Sequence, residues 1–90
     1  MQDKGRPAAS NAAEDRRDEG AVLRHVIEVH PATLLLSDLI RELGEPDDFA
    51  KRDGIERAVR ELTKGGLLFR CEATVLPTRA ALLAYELLAE

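Results

Sequence analysis

Apolar residues recur at helical intervals from position 21 onward and are almost missing before it. Val22, Leu23, Val26, Ile27 and Val29 share one broad face of a helix over residues 21–29. His30 precedes Pro31, and the residue before proline is pushed out of the α region, so the helix ends there. Residues 33–36 are short, apolar and partly β-branched, which suits a brief strand or an extended entry. Ser37 is the expected N-cap of a second helix. Leu36, Leu39, Ile40 and Leu43 follow at i, i+3, i+4 and i+7, and Gly44 supplies the stop. Glu45-Pro46-Asp47-Asp48 is a turn cluster in which either aspartate can cap the next helix. That third helix runs to about Lys64 and buries Ile55, Ala58, Val59 and Leu62. Gly54 lowers its propensity by about 1 kcal/mol relative to alanine. Two starts therefore stay open, one at Asp47 with a weak point and one near Asp53 after a loop.

Gly65-Gly66 closes the third helix, since glycine reverses the chain at positive φ without steric cost. Residues 67–71 and 74–76 read as two strands joined by Glu72-Ala73, with Leu67 and Phe69 alternating against Leu68 and Arg70. The turn lacks the Gly or Asn that a tight hairpin prefers. Thr78 is the N-cap candidate of a final helix reaching Glu90. Ala81, Leu82, Tyr85, Leu88 and Ala89 form its expected apolar stripe, and Leu83 and Leu87 broaden it. Residues 1–19 hold no Val, Leu, Ile or aromatic residue, and 9 of the 19 are charged. Such a segment cannot offset its ordering entropy by burial, so it reads as a disordered tail, with 14–19 able to extend the first helix.

Ninety residues make one domain with a thin core. The only aromatics are Phe49, Phe69 and Tyr85, so Leu, Val, Ile and Ala must build that core. Nothing offers a stacking platform for single-stranded nucleic acid. The net charge is −4, and residues 21–90 carry 9 Lys and Arg against 12 Asp and Glu. Any cationic surface is therefore local. Cys71 is the sole cysteine, which fits a reducing compartment. With no apolar leader and no spanning run, the expected location is cytoplasmic.

The element order is helix, short strand, helix, turn, helix, hairpin, helix. Three stretches carry a resemblance: Leu34-Leu35-Leu36-Ser37-Asp38-Leu39-Ile40-Arg41-Glu42-Leu43, Ile55 through the Gly65-Gly66-Leu67-Leu68 junction, and Leu76-Pro77-Thr78-Arg79-Ala80-Ala81-Leu82-Leu83. Together they resemble the winged helix-turn-helix superfamily, particularly small prokaryotic regulators of the MarR and PadR kind. The resemblance implies an α+β, mostly α fold over residues 20–90. Its parts would be a three-helix core, a short β-hairpin wing and a C-terminal helix. Two features depart from the simplest pattern. The interval from Gly44 to Asp53 exceeds a three- or four-residue turn, and Glu72 at the wing tip would repel phosphate.

The same resemblance implies that the third helix enters the major groove of double-stranded DNA. Arg57, Arg60 and Lys64 lie on one face opposite the apolar stripe. Arginine fits a guanine edge in a bidentate way, and lysine serves phosphates. Lys51 and Arg52 would add backbone contacts, and Arg70 on the wing and Arg79 near the start of the last helix are weaker candidates. A solvated face is the competing reading. Glu56 with Arg60, and Arg57 with Glu61, are helix-stabilising pairs worth about 0.2–0.5 kcal/mol each, and Asp53 sits near Arg57. The alternative function is a protein–protein interaction domain of the same fold. The surplus leucines of the last helix point to a dimer or partner surface at Leu83, Leu87 and Tyr85. His25 and His30 point about 140° apart on a helix, so they cannot share a metal. No phosphate loop or catalytic triad signature is present, so no enzyme, metal or cofactor is expected.

Overall fold

Among the described residues, alternation between 3.6-residue and two-residue periodicity produces four helices and one hairpin, an α+β and mostly helical arrangement. The computed structural model describes residues 8–89. Its elements are α1 (Ala8–Val29), α2 (Leu36–Leu43), α3 (Phe49–Lys64), β1 (Leu68–Cys71), β2 (Thr74–Pro77) and α4 (Arg79–Leu88). Val22 and Val26 of α1, Leu39 of α2, and Ile55, Ala58, Val59 and Leu62 of α3 form the core. Leu34, Leu68 and Val75 complete it from the hairpin side. No helix among the described residues is long and apolar enough to cross a membrane.

The first helix spans Ala8–Val29, so the described part of the expected tail, residues 8–19, is helical. Residues 1–7 of the expected tail lie outside the described residues. Ala12, Ala13, Glu14, Arg16, Arg17 and Glu19 are all strong helix formers. Asp18 is also buried against α3, where it gains a cationic partner. Composition registers only apolar burial, and this segment is held by charge.

Caps fix the short helices. α2 starts at Leu36 with Leu35 as its N-cap residue, so Ser37 lies inside the helix and does not cap it. The Leu35 amide donates to Asp38 Oδ2 at 3.3 Å, the reach-back half of a capping box. Leu35 cannot cap with its own apolar side chain, and Asp38 serves from three residues on. At α3 the Asp48 carboxylate accepts from the Lys51 amide at 3.0 Å. The helix therefore starts at Phe49, an extra helical turn fills the long interval after Gly44, and Gly54 sits in the helix interior.

β1 and β2 pair antiparallel with Phe69 opposite Leu76 and Cys71 opposite Thr74. The expected strand over 33–36 contracts to a single antiparallel bridge between Leu35 and Thr74. Around it the Val75 amide donates to Leu34 O at 2.9 Å and the Leu36 amide to Ala73 O at 2.8 Å. The turn accommodates its lack of glycine by holding Glu72 at φ 58°. Thr78 then links three segments. Its hydroxyl accepts from the Ala81 amide at 3.1 Å and donates to Gly66 O at 2.8 Å, while its amide donates to Leu67 O at 3.0 Å.

α4 departs most from expectation. Ala81 is buried and Leu82 half-buried, but Tyr85, Leu88 and Ala89, expected in the buried stripe, are exposed. The core is already closed by α1, α2, α3 and the hairpin, and only the first turn of α4 reaches it.

Candidate nucleic-acid interface

α3 has two unlike sides because its 16 residues bury one stripe and expose the rest. Gly54, Ile55, Ala58, Val59 and Leu62 are buried. Asp53, Glu56, Arg57, Arg60, Glu61 and Lys64 are exposed. The outward face thus mixes acids with the cations singled out from sequence.

On the side facing α1 the cations are engaged. Lys51 Nζ lies 2.9 Å from Asp18 Oδ1. Arg57 bonds Asp15 of α1 at 3.1 Å and Asp53, one turn back, at 3.0 Å. The hydrogen bond to Asp15 raises the Arg57 guanidinium above its ordinary value, with nearby carboxylates adding to the effect against partial desolvation. Asp18 is 9% exposed, and it reaches this position because residue 54 has no side chain. A Cβ on Gly54 would stand 2.6 Å from Asp18 Oδ2. Lys51 and Arg57, read from sequence as DNA contacts, hold α1 to α3 here.

On the opposite side three cations gather. A groove of about 340 Å³ between α3, the start of α2 and β1 is rimmed by Arg60, Lys64 and Arg70. Leu36, Val59 and Thr63 line it together with Glu56. Thr63 directs its hydroxyl to Val59 O at 2.7 Å, and Lys64 meets Glu61 at 3.2 Å. Arg60 makes no ion pair among the described residues, and Arg70 donates to the Glu72 carbonyl at 3.1 Å. Arg52 lies apart from the groove, with its guanidinium 5.8 Å from the Phe49 ring centre. Arg79 is exposed at the start of α4.

The sequence reading grouped Arg57 with Arg60 and Lys64, whereas the fold groups Arg60 and Lys64 with Arg70. It missed Asp15 and Asp18. Their i, i+3 spacing and the glycine in the middle of α3 were the available signals. It also missed a contact between His25 of α1 and Glu42 of α2, which ties those helices together. Among the described residues no three His, Cys, Asp or Glu side chains are grouped to hold a metal ion. No protein-family model, curated protein or solved structure matches the chain.

Proposed function

We propose that the chain is a winged helix-turn-helix domain of transcriptional-regulator type, cytoplasmic, that lays α3 in the major groove of double-stranded DNA. The bridge from Leu35 to Thr74 supports the fold reading, because it ties the segment before α2 to the hairpin as a winged helix requires. The observation that carries the function is the convergence of Arg60, Lys64 and Arg70 on one groove between α3 and β1. Arg60, exposed on the hairpin side of α3, is the base-edge candidate, with Lys64 and Arg70 placed for phosphates. Neutralising two phosphates, through Lys64 and Arg70, makes the logarithm of affinity fall with a slope of roughly −1.8 in log salt. A fluorescence titration against mixed-sequence duplex should therefore lose about 12-fold in affinity between 50 and 200 mM salt. Changing Arg60, Lys64 and Arg70 together to alanine should abolish binding and leave the helical circular dichroism unchanged. Absence of binding by the unmodified chain at 50 mM salt refutes the proposal.

A second reading is a protein-interaction domain of the same fold that leaves DNA alone. It is favoured by the α1 acids seated on Lys51 and Arg57 and by Glu72 at the hairpin tip, which all add negative potential beside α3. The same titration separates the two readings, since only the first requires salt-dependent DNA binding.

A further inference from the structure

α4 carries an apolar seam that the body of the protein does not use. Ala81 and Leu82 turn toward the core. Ala80, Leu83, Ala84 and Leu87 recur at i, i+3, i+4 and i+7, and all four are exposed, Leu83 to 52% and Leu87 to 68%. That spacing is one continuous stripe on a helix, and small residues between leucines let a second helix approach closely. One edge of the stripe carries Arg79 and Glu86. They are seven residues apart, about 10 Å along the axis, which is too far for them to pair with one another. Neither makes an ion pair among the described residues.

We infer that the chain self-associates through α4, with two copies antiparallel about a two-fold axis that crosses the seam between Leu83 and Ala84. In that register each Ala80 meets the partner's Leu87 and each Leu83 meets the partner's Ala84. Like edges meet in an antiparallel helix pair, so Arg79 faces the partner's Glu86, and the two-fold repeats the pair. A parallel arrangement would set that edge against Leu88 and leave both charges alone. Charge complementarity thus selects a second copy and its direction. The helix is only about 15 Å long, well short of a standard interface of roughly 800 Å² per partner. Association is therefore reversible and concentration-dependent.

Sedimentation equilibrium of the full chain without DNA, from 5 to 500 μM, tests this independently of the proposed function. The mean mass should rise from 9.9 kDa toward twice that value. Leu83→Glu and Leu87→Glu should each hold it at 9.9 kDa with unchanged circular dichroism, since both side chains are already exposed. Arg79→Glu or Glu86→Arg alone should weaken association about threefold or more, and the double swap should restore it. In a Cys71→Ser background, Ala84→Cys should give a disulfide-linked dimer under mild oxidation, because the two-fold brings those positions together. Ala80→Cys should not, because its copies lie about 10 Å apart along the axis. A constant 9.9 kDa at 500 μM, a dimer indifferent to Leu83→Glu, or cross-linking through position 80 instead of 84 overturns the inference.

Discussion

Gly54→Ala separates helix propensity from tertiary packing within a single methyl group. Propensity alone predicts stabilisation by about 1 kcal/mol, since glycine in a helix interior costs that much relative to alanine. The structure predicts the opposite sign. The new Cβ would stand 2.6 Å from Asp18 Oδ2 and 3.7 Å from Asp18 Cγ, and the first distance is too short for any real contact. Asp18 must move, yet its side chain is only 12% exposed and is held by Lys51 at 2.9 Å. Losing a hydrogen bond to a charged, largely buried group costs about 1.5–3 kcal/mol. Set against the gain in propensity, this leaves a net loss of about 0.5–2 kcal/mol. For a chain of this size each kcal/mol lowers the melting temperature by about 4–8 °C. Urea and thermal unfolding, followed by circular dichroism, measure the effect. The decisive comparison is the same substitution in an Asp18→Ala background, where the obstruction is gone and alanine should stabilise by up to about 1 kcal/mol. If Gly54→Ala stabilises the unmodified chain as much as the Asp18→Ala variant, the proposed lock between α1 and α3 is wrong.

Two further substitutions probe the hairpin and its exit. Glu72→Gly should stabilise by up to about 1 kcal/mol, because glycine removes the left-handed strain at φ 58° and loses part of the gain to chain entropy; a lower urea midpoint would contradict this. Thr78→Val should cost about 1–2 kcal/mol by removing both the cap on Ala81 and the bond to Gly66 O. Thr78→Ser, which keeps the hydroxyl, should lie within about 0.5 kcal/mol of the original in the same unfolding assay.

Periodicity made residues 21–83 legible because burial there follows the apolar pattern. Val22, Val26, Leu39, Ile55, Ala58, Val59 and Leu62 are both the apolar positions at helical spacing and the core. It failed at the two ends for different reasons. At the start, Asp15 and Asp18 are fixed by cations on α3, and an apolar count cannot register an ion pair. At the end, periodicity shows that Tyr85 and Leu88 share a side of a helix, but not whether anything packs against that side. The start of α3 was undecided because two aspartates and a glycine offered competing signals, and the Asp48 cap decides it. Within the candidate site, the helical wheel correctly turned Arg57, Arg60 and Lys64 away from the core. It could not show that α1 extends far enough back to engage Arg57.

That extension makes α3 electrostatically lopsided. Arg57 and Arg60 differ by only about 60° around the helix, yet their surroundings have opposite character. Arg57 leans toward α1 and shares two carboxylates, so its charge is largely neutralised before any ligand arrives. Arg60 leans toward the hairpin, where Lys64 and Arg70 reinforce it and Glu56 opposes it. A phosphate approaching along α3 would meet repulsion from Asp15, Asp18 and Asp53 on one side and attraction on the other. Under the proposed function, the nucleic-acid backbone must therefore run along the hairpin side of α3. This follows from the two ion pairs at Arg57 together with the cation groove, and it holds despite a net charge of −4, because screening confines each patch to about 10 Å at 0.1 M salt.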